Sequence, residues 1–102
     1  MMIDARPTQE WADARCRVTK WEFPPRSHTG MHRHEYDYVV VPITGGDFVA
    51  VGQDGSRAAL SQVAGEAYAR GAGVTHDVVN ESDAVQSFVE CEFLGAVVTD
   101  VD

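Results

Sequence analysis

His32-Arg33-His34-Glu35-Tyr36-Asp37-Tyr38-Val39-Val40-Val41-Pro42-Ile43-Thr44-Gly45-Gly46-Asp47-Phe48-Val49-Ala50-Val51 reads as two β-strands joined by a glycine turn. Residues 36–43 are rich in aromatic and β-branched side chains, which suit a pleated surface. Gly45-Gly46-Asp47 is hairpin-like punctuation, and Phe48 to Val51 forms the next strand. Working outward, residues 16–23 alternate, with Val18 among polar neighbours and then Trp21 and Phe23. Downstream, Asp54-Gly55 fits a two-residue hairpin turn, with residues 57–63 as the return strand. Residues 66–69, 75–79 and 84–94 complete the set. Residues 8–14 could make a helical turn, but no long 3.6-residue periodicity appears. Short strands between evenly spaced Gly and Pro signals predict an all-β sandwich or barrel.

The chain has 102 residues, enough for a single domain over 1–102. Apolar residues make up 44 %, as in ordinary globular proteins. The longest apolar run, Val39 to Ile43, is far too short to span a bilayer. The mixed, partly charged N-terminus lacks the apolar region of a signal peptide, so the expected compartment is the cytoplasm. Sixteen acidic residues against eight basic ones give a net charge of −8. Such a chain repels phosphate backbones, which argues against nucleic acid and anionic membrane as partners. Cys16 and Cys91 are too far apart in sequence for a zinc-knuckle pair and read as reduced, packed thiols.

Chemistry concentrates in the histidines. His32 and His34 are two apart, so on a strand both imidazoles project to one face. His76 follows some forty residues later, beside Gly71-Ala72-Gly73, at the start of another predicted strand. A ligand from a distant strand is what closes a site inside a barrel. His28 shares the parity of His32 and His34, but Gly30 intervenes. The same parity carries Tyr36, Tyr38 and Val40 inward and turns Glu35 and Asp37 outward. On residues 87–93 the apolar set Val89, Cys91 and Phe93 is expected to face the core, leaving Glu90 and Glu92 in solvent. The opposite register would aim Glu90 inward as a ligand or base.

These residues resemble the two motifs of the cupin family, in its RmlC-like superfamily. Gly65, Gly71, Gly73, His76 and Asn80 keep every spacing of the second motif, with Gly71 where Pro is usual. His32, His34 and Gly45 or Gly46 match the first. Arg26 stands where that motif has Gly, and Tyr38 or Val39 where it has a ligand Glu. The resemblance covers about residues 18–93 and implies a double-stranded β-helix, or jelly roll. It also implies a mouth-proximal site for one divalent metal (Fe, Mn, Ni or Zn) on His32, His34 and His76. The missing Glu leaves open whether Asp37 or Glu90 replaces it. Tyr38 is a candidate hydrogen-bond donor to bound ligand, Arg70 a candidate contact for an anion, and Asn80 a structural residue bonding backbone in a turn.

Two functions follow as expectations: a small metal-dependent enzyme, oxygenase- or isomerase-like, acting on a small organic molecule, or a non-catalytic metal- or ligand-binding module. A metal-free cupin with residual histidines is a third. A homodimer is expected, because a small barrel with exposed strand edges has reason to pair. Trp11 and Trp21 read as packing residues, with an exposed aromatic there belonging instead to a dimer interface.

Overall fold

The computed structural model describes residues 2–95 and is all-β, with no helix among them. The ends of the expected 1–102 domain therefore lie outside the described residues. The strands are β1 (Ile3–Asp4), β2 (Arg6–Ala12), β3 (Cys16–Phe23), β4 (Ser27–His28), β5 (His32–Arg33), β6 (Tyr38–Pro42), β7 (Gly46–Gly52), β8 (Arg57–Gln62), β9 (Tyr68–Arg70), β10 (Thr75–Asn80) and β11 (Gln86–Phe93). One sheet runs β1-β4-β10-β7-β8, with β5 also on β10. The other runs β2-β3-β11-β6-β9. Together they form a double-stranded β-helix whose two inner faces enclose the core.

Three phenylalanines join the sheets at one end. Phe23 and Phe88 come from one sheet and Phe48 from the other, with ring centroids 5.0–5.5 Å apart. Edge-on packing at this spacing adds to simple burial. Asn80 seals the same end. It is fully buried; its amide donates to the carbonyls of Phe23, Pro24 and Ala84, and its Oδ1 accepts from Ser82 and Gln86. Asn80 thus has the structural role expected of it, bonding backbone. Along β10 the inward side chains then run from Asn80 through Val78 to His76, so the histidine lies at the opposite end from the aromatic plug.

Three local readings change. Residues 8–14 are not helical: most belong to β2, which pairs with β3 and accommodates a bulge between Gln9 and Trp11. The bulge and the polar composition hide the strand's alternation. The Asp54-Gly55 turn has three residues rather than two. Gly52 N–H donates to Ser56 O at 2.8 Å, and Gly55 takes the left-handed conformation at φ 85° that the longer loop needs. Arg26, at the motif position usually held by Gly, has φ 55°. The backbone there adopts the conformation that Gly tolerates best.

The third change concerns β11. Its buried face carries Phe88, Glu90 and Glu92, while Val89, Cys91 and Phe93 point away from the barrel. Pairing fixes the face. Glu92 lies opposite Tyr38 and Arg17, and Glu90 opposite Val40 and Thr19. The expected register of Glu90 and Glu92 is therefore reversed.

Candidate metal centre

His32 and His76 are direct cross-strand partners in the β5–β10 ladder, which sets their side chains close together. His34 lies just beyond β5. It is pinned by His34 N–H to Val74 O and Gly73 N–H to His34 O, both 2.8 Å. The three side chains converge. His32 Nε2 is 3.0 Å from His34 Nε2, which is 3.2 Å from His76 Nε2. At a metal–nitrogen distance of about 2.1 Å, ligand nitrogens subtending roughly 90–110° lie about 3.0–3.4 Å apart. These two spacings fit a shared ion, and the ligand atoms of His32, His34 and His76 all lie within 4.8 Å of one another, the group of His, Cys, Asp and Glu that gathers in this way among the described residues.

The residues behind the cluster prepare the lone pairs. His32 Nδ1–H donates to Gly30 O at 2.8 Å, leaving Nε2 unprotonated and aimed at its neighbours. Gly30 N–H in turn donates to Asp77 Oδ1 at 3.0 Å, and Asp77 Oδ2 is 2.8 Å from His28 Nδ1. His28 is thus a supporting residue bonded to Asp77, outside the converging trio. Such supporting bonds orient a ligating imidazole. Sequence reading missed Asp77 and Thr29, whose hydroxyl accepts from Val78 N–H at 3.1 Å. Their signal is weak, because neither residue type stands out beside a strand.

His34 is stacked on Tyr38, with ring centroids 3.9 Å apart and planes inclined by 17°. Tyr38 faces inward and Val39 outward, so Tyr38 takes the inward place near the motif's ligand Glu. Burial holds the Tyr38 hydroxyl protonated, pushed up to about 12. Asp37 does not supply the missing carboxylate. It is exposed, and its Oδ1 accepts from Ala72 N–H at 2.8 Å, tying down the loop before β10.

Two cavities flank the cluster. One, of about 210 Å³, is lined by His76, Tyr38, Glu90, Arg70, Tyr68 and apolar residues of β7, β8 and β10. Arg70 stands at its rim, 4.6 Å over the Tyr68 ring. The second, of about 480 Å³, is lined by His32, His34, Trp21, Arg17, Glu90 and Glu92 among others. Glu92 is held by a two-pronged ion pair with Arg17, at 2.8 and 3.1 Å. Glu90 borders both cavities and accepts from Trp21 Nε1–H at 3.2 Å. Burial, and then the Glu92 charge, push the Glu90 carboxyl up to about 7. Trp21 therefore does more than pack.

Burial, reinforced by the neighbouring imidazoles, lowers His34 and His76 to about 4. Between about pH 6.5, where unfolded imidazoles protonate, and about 4, the unfolded state binds more protons at these two positions. Their contribution to stability is full above pH 6.5 and is lost as pH falls. Glu90 acts in the opposite sense, since its folded value lies above its ordinary 4.5. Two groups outweigh one. Metal-free protein is therefore expected to lose thermal stability from pH 6.5 toward 4, and Glu90→Gln should steepen the loss. A melting temperature that is flat across this range in both proteins would contradict the assignment.

Comparison with known proteins agrees with the fold. No family model matches the chain. The β-alanine degradation protein BauB of Pseudomonas aeruginosa is 48% identical over 88 residues, covering 86% of this chain and 92% of its own. The crystal structure of a cupin domain from Bordetella pertussis is 41% identical, with a TM-score of 0.87, and covers 91% of this chain and 96% of that one. The polyketide cyclase RemF of Streptomyces resistomycificus, at 18% identity and TM-score 0.69 over 91% of this chain and 69% of its own, shares the fold alone. The chain belongs to the cupin family. Within it, this chain carries a three-histidine cluster between the two sheets.

Proposed function

We propose that this cupin holds one divalent transition-metal ion on the Nε2 atoms of His32, His34 and His76, and that it acts enzymatically on a small organic acid bound beside them. The convergence of three nitrogens at 3.0 and 3.2 Å carries the reading. Imidazole ligands suit iron, nickel or zinc, with manganese also in range. Three protein ligands leave further positions open, as in catalytic rather than closed structural sites. The bound ion would supply Lewis acidity and, where redox-active, electron transfer.

The chain's own residues do the rest. The 210 Å³ cavity is smaller than a drug-sized pocket and suits a molecule of a few heavy atoms. Arg70 offers a cation at its rim, Glu90 a proton-holding carboxyl inside, and Tyr38 a hydroxyl that stays a donor. Val40, Val78 and Phe88 keep water from the walls between them. A short acid with its carboxylate at Arg70 and its other end toward His76 fits this arrangement. The name of the Pseudomonas relative, at 48% identity, supports an acid of the β-alanine type.

Thermal stabilisation tests the reading. Metal-free protein is titrated first with Zn²⁺, Fe²⁺, Mn²⁺ and Ni²⁺, then with β-alanine and other short carboxylates. Both steps should raise the melting temperature, and Arg70→Gln should weaken the second by about 10-fold or more, the worth of a charge-assisted hydrogen bond. Equal stabilisation of Arg70→Gln by the acids would remove Arg70 from the site. A second reading, a binding module without turnover, is favoured by Tyr38 near the place of the motif's ligand Glu. Oxygen uptake or product formation with the same acids separates the two.

A further inference from the structure

The smaller cavity is lined by two groups of opposite charge type that do not meet, Arg70 of β9 and Glu90 of β11. Strand β6 separates them, with Arg70 opposite Tyr38 and Glu90 opposite Val40. Two strand spacings and a two-residue offset put their backbones about 12 Å apart. Side chains of this length can meet across such a gap, yet each is held elsewhere. Arg70 stacks 4.6 Å over the Tyr68 ring, and its Nη1–H donates to Ala69 O at 2.9 Å. Glu90 Oε1 accepts from Trp21 Nε1–H at 3.2 Å. Its Oε2 has no hydrogen-bond partner among the described residues and is not closed off by packing.

The chain pairs its arginines readily. Arg15, Arg17, Arg26 and Arg57 each hold a carboxylate. Among the described residues no carboxylate pairs with Arg70, and no Lys or Arg with Glu90. A cavity with a cation on one side and a carboxyl on the other is complementary to a molecule of the reverse polarity. A plain acid meets Arg70 alone and leaves Glu90 facing the apolar walls of Val40, Val78 and Phe88, an unfavourable place for an unpaired polar group. A plain amine meets Glu90 alone. An amino acid meets both, and a volume of about 210 Å³ keeps it short. Burial favours the protonated Glu90 carboxyl, whereas an ammonium beside it favours the carboxylate.

We propose that this cavity selects a short zwitterionic amino acid, with its carboxylate at Arg70 and its ammonium on Glu90 Oε2, so that Glu90 distinguishes amino acids from plain carboxylic acids of the same length. The ammonium site rests on the acid-binding reading above and adds a second recognition point to it.

Calorimetric titration of the zinc-loaded protein at about pH 8, where a free carboxyl is ionised, compares β-alanine with propionate, which lacks the ammonium. The wild type should bind β-alanine about 10-fold or more tighter. Glu90→Gln keeps an oxygen for Trp21 but loses the charge, so it should bind the two ligands alike, with propionate unchanged or tighter. Propionate binding by the variant shows that its cavity is formed. Equal affinity of the wild type for both ligands overturns the ammonium site while the acid site stands. A preference for β-alanine that persists in Glu90→Gln takes the ammonium elsewhere, to the metal for instance, and overturns the role of Glu90. A wild type that binds neither ligand overturns the acid-binding reading and the ammonium site with it.

Discussion

Alanine at His76 should reduce metal affinity by about two orders of magnitude or more, whereas alanine at His28 should cost about 10-fold at most. Four-ligand zinc sites release about 10–16 kcal/mol on binding, so one ligand of such a set is worth roughly 3 kcal/mol, or about 100-fold. His76 Nε2 is one of the three converging atoms, and His34→Ala and His32→Ala should behave alike. His28 stands three hydrogen bonds behind His32. It holds Asp77, which holds the Gly30 turn whose carbonyl orients His32. Losing such support typically costs 10–100-fold when the supporting contact is direct, and less through an intermediary. Competition titration with a chromogenic chelator measures each variant. Equal losses for His28→Ala and His76→Ala would mean that the three imidazoles do not share an ion.

Asn80→Ala should be the most destabilising single substitution away from the metal centre, at about 3–5 kcal/mol. Asn80 is fully enclosed at the plugged end of the barrel and donates to the buried carbonyl of Phe23 and to the part-buried carbonyls of Pro24 and Ala84. Its Oδ1 also anchors the amide of Gln86 at 2.7 Å and the turn at Ser82. Alanine removes all of these bonds and leaves a cavity, and each group left without a partner costs about 1–3 kcal/mol; Pro24 O and Ala84 O keep the hydroxyls of Ser27 and Ser82, and the Gln86 amide keeps Asp47 O. In a domain of this size the melting temperature should fall by roughly 15 °C or more. Asn80→Asp, which keeps Oδ1 but loses the donor, should be nearly as harmful. A shift within a few degrees for both would mean that the plug is held by Phe23, Phe48 and Phe88 alone.

Much of this was legible in the sequence because two periodicities agree. The two-residue spacing of His32 and His34 sets their common face, and the same parity leads to Tyr38 and Val40, both buried, while Tyr36 lies in a bend between the strands and is only half-buried. The spacing from Gly65 to Asn80 located the second half of the site. The face of β11 was read backwards for a physical reason. Alternation separates Val89, Cys91 and Phe93 from Phe88, Glu90 and Glu92, but it does not say which set meets the interior. In this barrel the interior at the metal end is polar, Arg17 neutralises Glu92, and Trp21 holds Glu90. The more apolar set is on the outside. Strand β2 was invisible as a strand because residues 6–12 are all exposed and a bulge breaks their period. The Asp77–Gly30–His32 support was invisible because it joins residues 45 and more apart through backbone groups that carry no sequence signature.

X-ray absorption at the edge of the bound metal, on protein purified without a histidine tag, tests the central claim most directly. One ion per chain is expected, with three imidazole nitrogens at about 2.1 Å and no sulfur neighbour. A spectrum without imidazole scattering, or protein that takes up no ion on titration, would contradict it.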